Sequence, residues 1–408
     1  MSTDEISTDE ISTDEIDAAD EIRTDEAGTG EVAVAPREAA SASRPRAVFI
    51  VTSMHGGGAE WVGRRWMEHL VRHGHDVLVV TTSDKSVDGQ VPDGVRVQTL
   101  GRLRSHAAKV RRFRAVLGEE RPDAVVGLQM YPNLIAVVAA RSIPASRRPP
   151  VVVSEHNLVS FGLPGAGLTH RVKTWLARRA YPRADHVIAV SHAVAGEMVG
   201  GFGVREGRCT VVPNPAASKV AAVRPVLAPV PDLDVDLVVA HRLVPQKRPE
   251  LAVLTAAELR RRGLRVRLTV FGQGPLLARM VSLAAESGVE LDHRGWAEEW
   301  FADCSDRAVL LLASHREGFG NVLVEAAAAG IPSVALSSAL GVADAVVPGL
   351  TGELASGGTP AALADAVERA ARIRIGDLGG WLDRFSDDTS GAMLEQVLDS
   401  VRRERVPR

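Results

Sequence analysis

The sequence predicts an α/β protein of two Rossmann-like, doubly wound domains. Three observations carry that reading. The chain has 408 residues, more than one ordinary core accommodates. Short apolar runs alternate with helical periodicity, and the alternation stops and restarts once. Gly-rich turns stand just after several of the apolar runs, where doubly wound sheets bind ligands. Apolar residues make up 45 % and aromatic residues only 4 %. Ala and Val dominate, which suits a parallel sheet covered on both faces.

In order along the chain, "AVFIVTS" at 47–53 is a strand ending in "MHGGGAE". Val62, Trp66 and Leu70 follow at four-residue steps, and Gly74 closes that helix. The runs "HDVLVVTTS", "VRVQTL", "DAVVGLQ", "PVVVSEHN", "HVIAVS" and "CTVVPN" continue the first half. From Asn214 a stretch rich in Pro and Ala loses all period and reads as a linker. The second half restarts with "DLVVAHRL", a helix from Pro249 to Arg262, "VRLTVFGQG" and a helix over Leu276–Ser287. It goes on through "VELDHRG", "AVLLLAS", a helix after Gly320 and "PSVAL". A terminal helix over Ser386–Arg405 has Met393, Val397 and Val401 at four-residue steps. The expected division is a tail at 1–44, a first domain at 45–215, a second at 216–385 and a crossing helix at 386–408.

The bulk composition excludes several classes. Two cysteines, Cys209 and Cys304, make no disulfide framework, and no Cys/His spacing looks like a zinc site. A reducing cytoplasm is the simplest compartment. No run of 18 apolar residues offers a membrane span, and the acidic start is unlike a signal peptide. "STDEI" occurs three times in tandem over 2–16, and residues 1–44 hold 13 acids and 3 bases. So charged a stretch reads as a disordered, solvating tail rather than a lure for a cationic partner. The remaining body has 45 bases against 38 acids. It has no basic block interleaved with aromatics, so no nucleic acid partner is expected. The helix at Ser105–Leu117 carries Lys109, Arg111, Arg112 and Arg114, which would suit anionic lipid. Val110, Phe113 and Leu117 on the same segment favour a core-packed helix with a wet basic face, so membrane contact is possible but not favoured.

The residues with chemistry cluster after strands. Glu317 follows "AVLLLAS" by three residues, and Glu325 lies eight residues further on. Gly318 and Gly320 permit a tight path between them. Asn321 is a plausible N-cap, so the N–H groups around Phe319, Gly320, Asn321 and Val322 would face a phosphate. A carboxylate on each side then suits the two diols of a sugar nucleotide. "AHRLVPQK" offers Arg242 and Lys247 to a diphosphate. Gly56, Gly57 and Gly58 let backbone approach a ligand, as do Gly272 and Gly274 in "FGQGP", a turn expected to line the cleft. The first turn is not G-x-G-x-x-G, which disfavours a dehydrogenase. His156 in "SEHN" stands at a strand end, placed to meet a sugar hydroxyl. "DLDVD" at Asp232–Asp236 precedes a strand rather than following one; it reads as linker, and no metal is assigned.

Taken together, "HGGGAE", "SEHN", "VSHA", "VVPNP", "AHRLVPQK", "FGQGP" and "SHREGFGNVLVEAAAAGIP" resemble glycosyltransferase family 4, retaining enzymes of the GT-B fold. The motifs run in the family's order from about 47 to 336. The resemblance implies a UDP-sugar donor on the second domain, no cofactor and no metal. Arg242 and Lys247 would bind the diphosphate, Glu317 with Gly318 to Gly320 the sugar, and Glu325 the ribose. His156 and the Gly56–Gly58 turn would approach from the first domain, which would hold the acceptor. His241 replaces the family's usual Gly, and "EAAAAG" replaces a bulkier run. Likeness in "GGGAE" and "SEHN" suggests N-acetylglucosamine or a related hexosamine as the sugar. An Arg- and Ala-rich composition fits an actinomycete, and such organisms glycosylate both envelope lipids and soluble antibiotics. With no strong membrane patch in the sequence, a soluble acceptor is expected, such as an aminocyclitol in antibiotic biosynthesis. A lipid-linked or surface glycan is the alternative. A sugar-nucleotide epimerase and a non-catalytic nucleotide-sugar binder are the other classes.

Overall fold

A computed structural model describes residues 44–55, 57–83, 91–160, 167–221 and 227–404. The acidic repeat and Gly56 lie outside the described residues. The described residues from 45 onward pack as one compact unit that contains two parallel sheets.

The first lobe alternates β1 (Arg46–Val51), α1 (Gly58–Arg72), β2 (Asp76–Thr81), β3 (Val95–Thr99), α2 (His106–Glu120) and β4 (Ala124–Leu128). It continues with α3 (Met130–Arg141), β5 (Val151–Glu155), α4 (Leu168–Ala180), β6 (His186–Ala189), α5 (His192–Phe202) and β7 (Cys209–Val211). Strand order is β3-β2-β1-β4-β5-β6-β7. β1, β4 and β5 are almost entirely buried, as strands with helices on both faces must be. Their runs are Val-rich and unalternating for that reason.

A short helix, α6 (Ser218–Ala221), leads to the second lobe. That lobe contains β8 (Val235–Ala240), α7 (Glu250–Arg261), β9 (Val266–Phe271), α8 (Leu277–Glu286), β10 (Glu290–Gly295), β11 (Ala308–Leu312) and α9 (Asn321–Ala328). It ends with β12 (Ser333–Leu336), β13 (Gly352–Ala355), α10 (Pro360–Ala370) and α11 (Gly379–Asp383). The order is β10-β9-β8-β11-β12-β13. In each sheet the order reverses beside one strand, between β1 and β4 and between β8 and β11. Crevices open there at the strands' carboxyl ends.

α12 (Asp387–Arg403) returns to the first lobe and packs on α1. Ser386 caps it by accepting from Thr389 N. Its buried stripe is Leu394, Val397, Leu398 and Val401, which joins Val62, Trp66 and Leu70. Met393, expected in that stripe, is only partly buried at its edge. Trp66 Nε1 donates to Ser390 Oγ at 2.9 Å, and Ser390 Oγ donates to the Pro213 carbonyl at 2.7 Å. The outgoing and returning chains also meet: Ala217 N bonds Phe385 O at 3.0 Å and Asp387 N bonds Ser218 Oγ at 2.8 Å.

Several local expectations change. β13 and α10 carried no sequence expectation; "GELA" is too short for a period to show. α2 runs three residues past Leu117, burying Phe113, Val116 and Leu117 with Arg111, Arg112 and Arg114 exposed. Asp236 is no linker residue: it lies buried in β8, held by Arg267 at 2.6 Å, Thr269 Oγ1 at 2.6 Å and Ser305 Oγ at 2.9 Å. A buried carboxylate persists only with such partners.

Candidate active site

The crevice beside β8 and β11 gathers the charged residues. The turn after β8 carries His241, Arg242 and Lys247. His241 is buried, and its Nδ1 lies 3.0 Å from Arg242 O. Burial, aided by the nearby Lys247 ammonium, pushes its pKa down to about 4, so the ring is neutral. Lys247 Nζ reaches Glu317 Oε1 at 2.5 Å, an ion pair largely withdrawn from water. An ammonium has three donors, so this pair leaves two. Glu317 follows β11, and its N–H donates to Ala339 O at 3.0 Å.

Asn321 is not the N-cap of α9. Gly320 holds that position at φ 92°, with no side-chain cap. A left-handed cap favours glycine. No side chain caps the first N–H groups of α9, and of these Leu323 N bonds Gly320 O at 2.9 Å. One turn in, Glu325 is buried and its two oxygens are separately held. Trp300 Nε1 donates to Oε2 at 2.8 Å, and Lys219 Nζ lies 3.5 Å from Oε1. Gly272 and Gly274 are held close to the turn after β8. A Cβ on Gly272 would stand 2.0 Å from His241 O, and one on Gly274 2.5 Å from Leu243 O. The two turns therefore stack backbone on backbone, tied by Leu243 N to Gln273 O at 2.8 Å.

The first lobe presents a different wall. Gly57 precedes α1 and Gly58 begins it. Glu60 lies one turn in, its pKa raised by burial and opposed by the Gln129 amide, Arg242 and Arg64. Gln129, after β4, has φ 70°; it donates to Glu60 Oε1 at 3.3 Å and accepts from Thr52 Oγ1 at 3.3 Å. His156 follows β5. Its Nε2 lies 3.0 Å from Ser154 Oγ, while Nδ1 is buried without a partner. Desolvation pushes this ring down to about 4 as well.

The two walls touch. A Cβ on Gly318 would stand 2.1 Å from His156 O, so only glycine allows this approach. Gly58 sits against Asn321, where a Cβ would be 3.1 Å from Nδ2. Asn214 Nδ2 donates to Asn321 Oδ1 at 2.7 Å, and an Arg316 guanidinium N–H donates to Leu158 O at 3.1 Å. Arg242 and Glu60 sense each other's charge across the gap. His156, Arg242, Lys247, Glu317, Gly318, Phe319, Gly320, Asn321 and Val322 thus border one crevice at two switch points. Phe319 points inward, packing 5.5 Å from Phe385.

Comparison with known proteins settles the family. The description "Glycosyltransferase Family 4" matches residues 56–217 and "Glycosyl transferases group 1" matches 229–375. The chain belongs to glycosyltransferase family 4. It is 31 % identical over 190 residues to a GDP-mannose-dependent α-(1-6)-phosphatidylinositol monomannoside mannosyltransferase of Mycolicibacterium smegmatis, covering 41 % of this chain and 49 % of that protein. It is 26 % identical to the lipopolysaccharide 1,6-galactosyltransferase of Salmonella typhimurium, over 69 % of this chain and 76 % of that one. The chain thus matches about half the length of the mannosyltransferase. Among solved structures, Anabaena HepE in complex with UDP and glucose superposes with TM-score 0.67 at 21 % identity, over 88 % of this chain and all of that one. The apo galactosyltransferase WaaB gives 0.66 at 22 %, over 87 % and 99 %. These likenesses give this family member the GT-B fold: two Rossmann-like domains and a helix that crosses back.

Sequence reasoning missed Glu60, Gln129, Asn214, Lys219 and Trp300. Glu60 stood inside a quoted motif without a partner to give it meaning. Trp300 lies 25 residues from Glu325 on a short helical turn, and no spacing rule links them.

Proposed function

We propose that this family 4 member transfers a sugar, with retention, from a nucleoside diphosphate sugar to an acceptor hydroxyl. The observation behind the reading is the meeting of Arg242, the Lys247–Glu317 pair and the open N-terminus of α9 at one crevice. Arg242 and Lys247 would neutralise the diphosphate as the sugar C1–O bond breaks. The acceptor oxygen would bond to C1 on the same face, its proton passing to the leaving phosphate oxygen. Glu317 and the backbone of Gly318 to Gly320 would hold the sugar, and Glu325 the ribose. A neutral His156 cannot supply a proton; it would accept or donate a hydrogen bond at a sugar hydroxyl. UDP is the nucleotide favoured here, in keeping with the HepE complex, although the mannosyltransferase is named for GDP-mannose. No residue of the crevice singles out N-acetylglucosamine.

For the acceptor, a lipid-linked glycan fits better than a soluble aminocyclitol. α4, which follows the His156 loop, exposes Leu168 at 72 %, Trp175 at 52 %, Val172 and Leu176 along one face. The helix has Arg171, Lys173, Arg178 and Arg179 and no acid. Such a face suits an anionic bilayer. No helix among the described residues is long and apolar enough to cross a membrane, so contact would be peripheral. The phosphatidylinositol and lipopolysaccharide named for two relatives agree with this acceptor class.

Calorimetric binding of UDP, GDP and ADP and their sugars to the full chain tests the donor. One diphosphate and one of its sugars should bind, and Glu325→Ala should weaken both by roughly 10- to 100-fold, the worth of one charge-assisted bond. Absence of binding to every nucleotide sinks the reading. Sedimentation with phosphatidylglycerol vesicles tests the acceptor class; Trp175→Ala should reduce the bound fraction.

A further inference from the structure

Away from the crevice, the end of α1 and the middle of α12 bring together an unusual set of side chains. The sequence "HLVRHGH" places His69, His73 and His75 within seven residues. His69 and His73 are one turn apart, on the same helix face. Glu395 of α12 comes from 320 residues beyond His75. His73 Nδ1 lies 3.6 Å from Glu395 Oε2, and His69 Nε2 lies 3.4 Å from the same oxygen. His75 Nε2 takes the other oxygen at 3.0 Å.

His69 is only 1 % exposed, yet neither of its ring nitrogens completes a hydrogen bond. Leaving a buried polar group unsatisfied is costly. The ring's place is nonetheless built in: Gly391 of α12 abuts it, and a Cβ there would stand 2.2 Å from His69 Cγ. The His69 and His73 rings lie 4.0 Å apart at 62°, and one nitrogen of each approaches the same Glu395 oxygen. One ligand atom each from His69, His73 and Glu395 falls within 4.8 Å of the others.

We propose that these three residues bind a divalent transition ion, best Zn²⁺, that staples α12 to α1. Two imidazoles and a carboxylate form a recognised zinc donor set with a fourth position for water. Bonds of about 2.0–2.2 Å in a tetrahedron set ligand atoms about 3.3–3.6 Å apart, and the 3.4 and 3.6 Å separations match that edge. His73 is exposed, which gives the ion an entry and leaves the fourth position to solvent. His75 would orient the ligating carboxylate from outside, as second partners at zinc sites do. The charge nearest the site that opposes a cation is Arg72, which leans toward Asp388 at 3.4 Å. The ion would sit within about two turns of the Trp66–Ser390–Pro213 bonds, so it would stiffen the return of α12 to the first lobe. The two histidines lie at helical spacing in the sequence, but the carboxylate joins them only through the crossing helix, so no spacing rule links the three.

The test uses the full chain, stripped with a chelator and then titrated with Zn²⁺ or Co²⁺. One ion per chain should bind, the Co²⁺ form should show the visible bands of a four-coordinate site, and Tm should rise by a few degrees at 100-fold excess over Kd. His73→Ala, on an exposed position that folding does not need, and Glu395→Gln should each weaken binding about 100-fold or more and abolish the Tm rise. No stoichiometric ion in the parent chain, or binding that survives both substitutions, overturns the proposal.

Discussion

The two walls of the crevice are built on different electrostatic plans. The second-lobe wall is made of charges already paired: Lys247 with Glu317, and Lys219 and Trp300 with Glu325. The first-lobe wall is made of backbone and of groups whose charged forms burial disfavours. His156 is pushed down to about 4, and Glu155 beside it is pushed up to about 7 by burial. Paired charge suits a wall that receives a diphosphate, because its donors are fixed before the ligand arrives. A neutral wall suits hydroxyl chemistry, where a stray charge would compete for the same water-free space.

The sharpest way to break this contrast is Lys247→Ala. It removes a diphosphate donor and strands Glu317, buried and unpaired. Turnover should fall by roughly 10²–10³, as for loss of one charge-stabilising donor, with the far-ultraviolet spectrum unchanged. Near-normal turnover would mean that the second wall's charges are structural only.

The contrast also explains what the sequence disclosed. The second wall was legible because its chemistry lies at fixed spacings: Arg242 to Lys247 along one turn, Glu317 to Glu325 across one helix start. Parallel sheets were legible because fully buried strands leave unalternating Val-rich runs. The first wall was mostly illegible. Gln129 is one polar residue after an apolar strand, and only its φ of 70° and its bond to Glu60 mark it. The close backbone approach at Gly272 and Gly274 was equally hidden, since a glycine needed by a neighbouring backbone and one needed by a ligand look alike in sequence. Asn321 looked like a cap because Asn often is one; Gly320 took the position since the chain there must turn left-handed.

Gly318 is where the walls meet, and Gly318→Ala tests whether catalysis needs that contact. The new methyl would meet the His156 carbonyl at 2.1 Å, and backbone cannot swing aside as a flexible side chain can. The lobes should separate by a fraction of an ångström or more. A misplacement of about 1 Å can cost about 10²-fold in rate, so kcat should fall about that far while nucleotide affinity, set by the second wall, changes little. Equal losses in kcat and nucleotide affinity would place the contact at the nucleotide itself instead.

The neutral wall makes its own prediction through Glu155. Tyr181 OH donates to its Oε2 at 2.6 Å, and burial raises its pKa from 4.5 to about 7. The folded chain therefore holds this proton more tightly than the unfolded one. Its contribution is full below pH 4.5 and is lost as pH rises through 7, about 3 kcal/mol in all. His156 has the opposite sign: stability it withholds at pH 4 returns as pH climbs to 6.5. Urea midpoints of Glu155→Gln should accordingly gain on the parent as pH rises from 4.5 to 7. Parallel profiles would show that Glu155 is ionised in the fold and that the wall is not neutral.

The smallest effect should come from the tie between the walls near the hinge. Asn214 is buried and donates to Asn321 Oδ1 at the first residue of α9. It thereby links the end of the first lobe to the helix whose N-terminus faces the crevice. Asn214→Ala deletes one neutral hydrogen bond, worth about 0.5–1.5 kcal/mol, so kcat/KM should drop by about 3- to 10-fold. The loss should appear mostly in kcat, because Asn214 orients α9 and is not placed to hold the nucleotide. A loss confined to KM would instead put Asn214 on the donor itself, and the line between a charged donor wall and a neutral facing wall would have to be redrawn through the hinge.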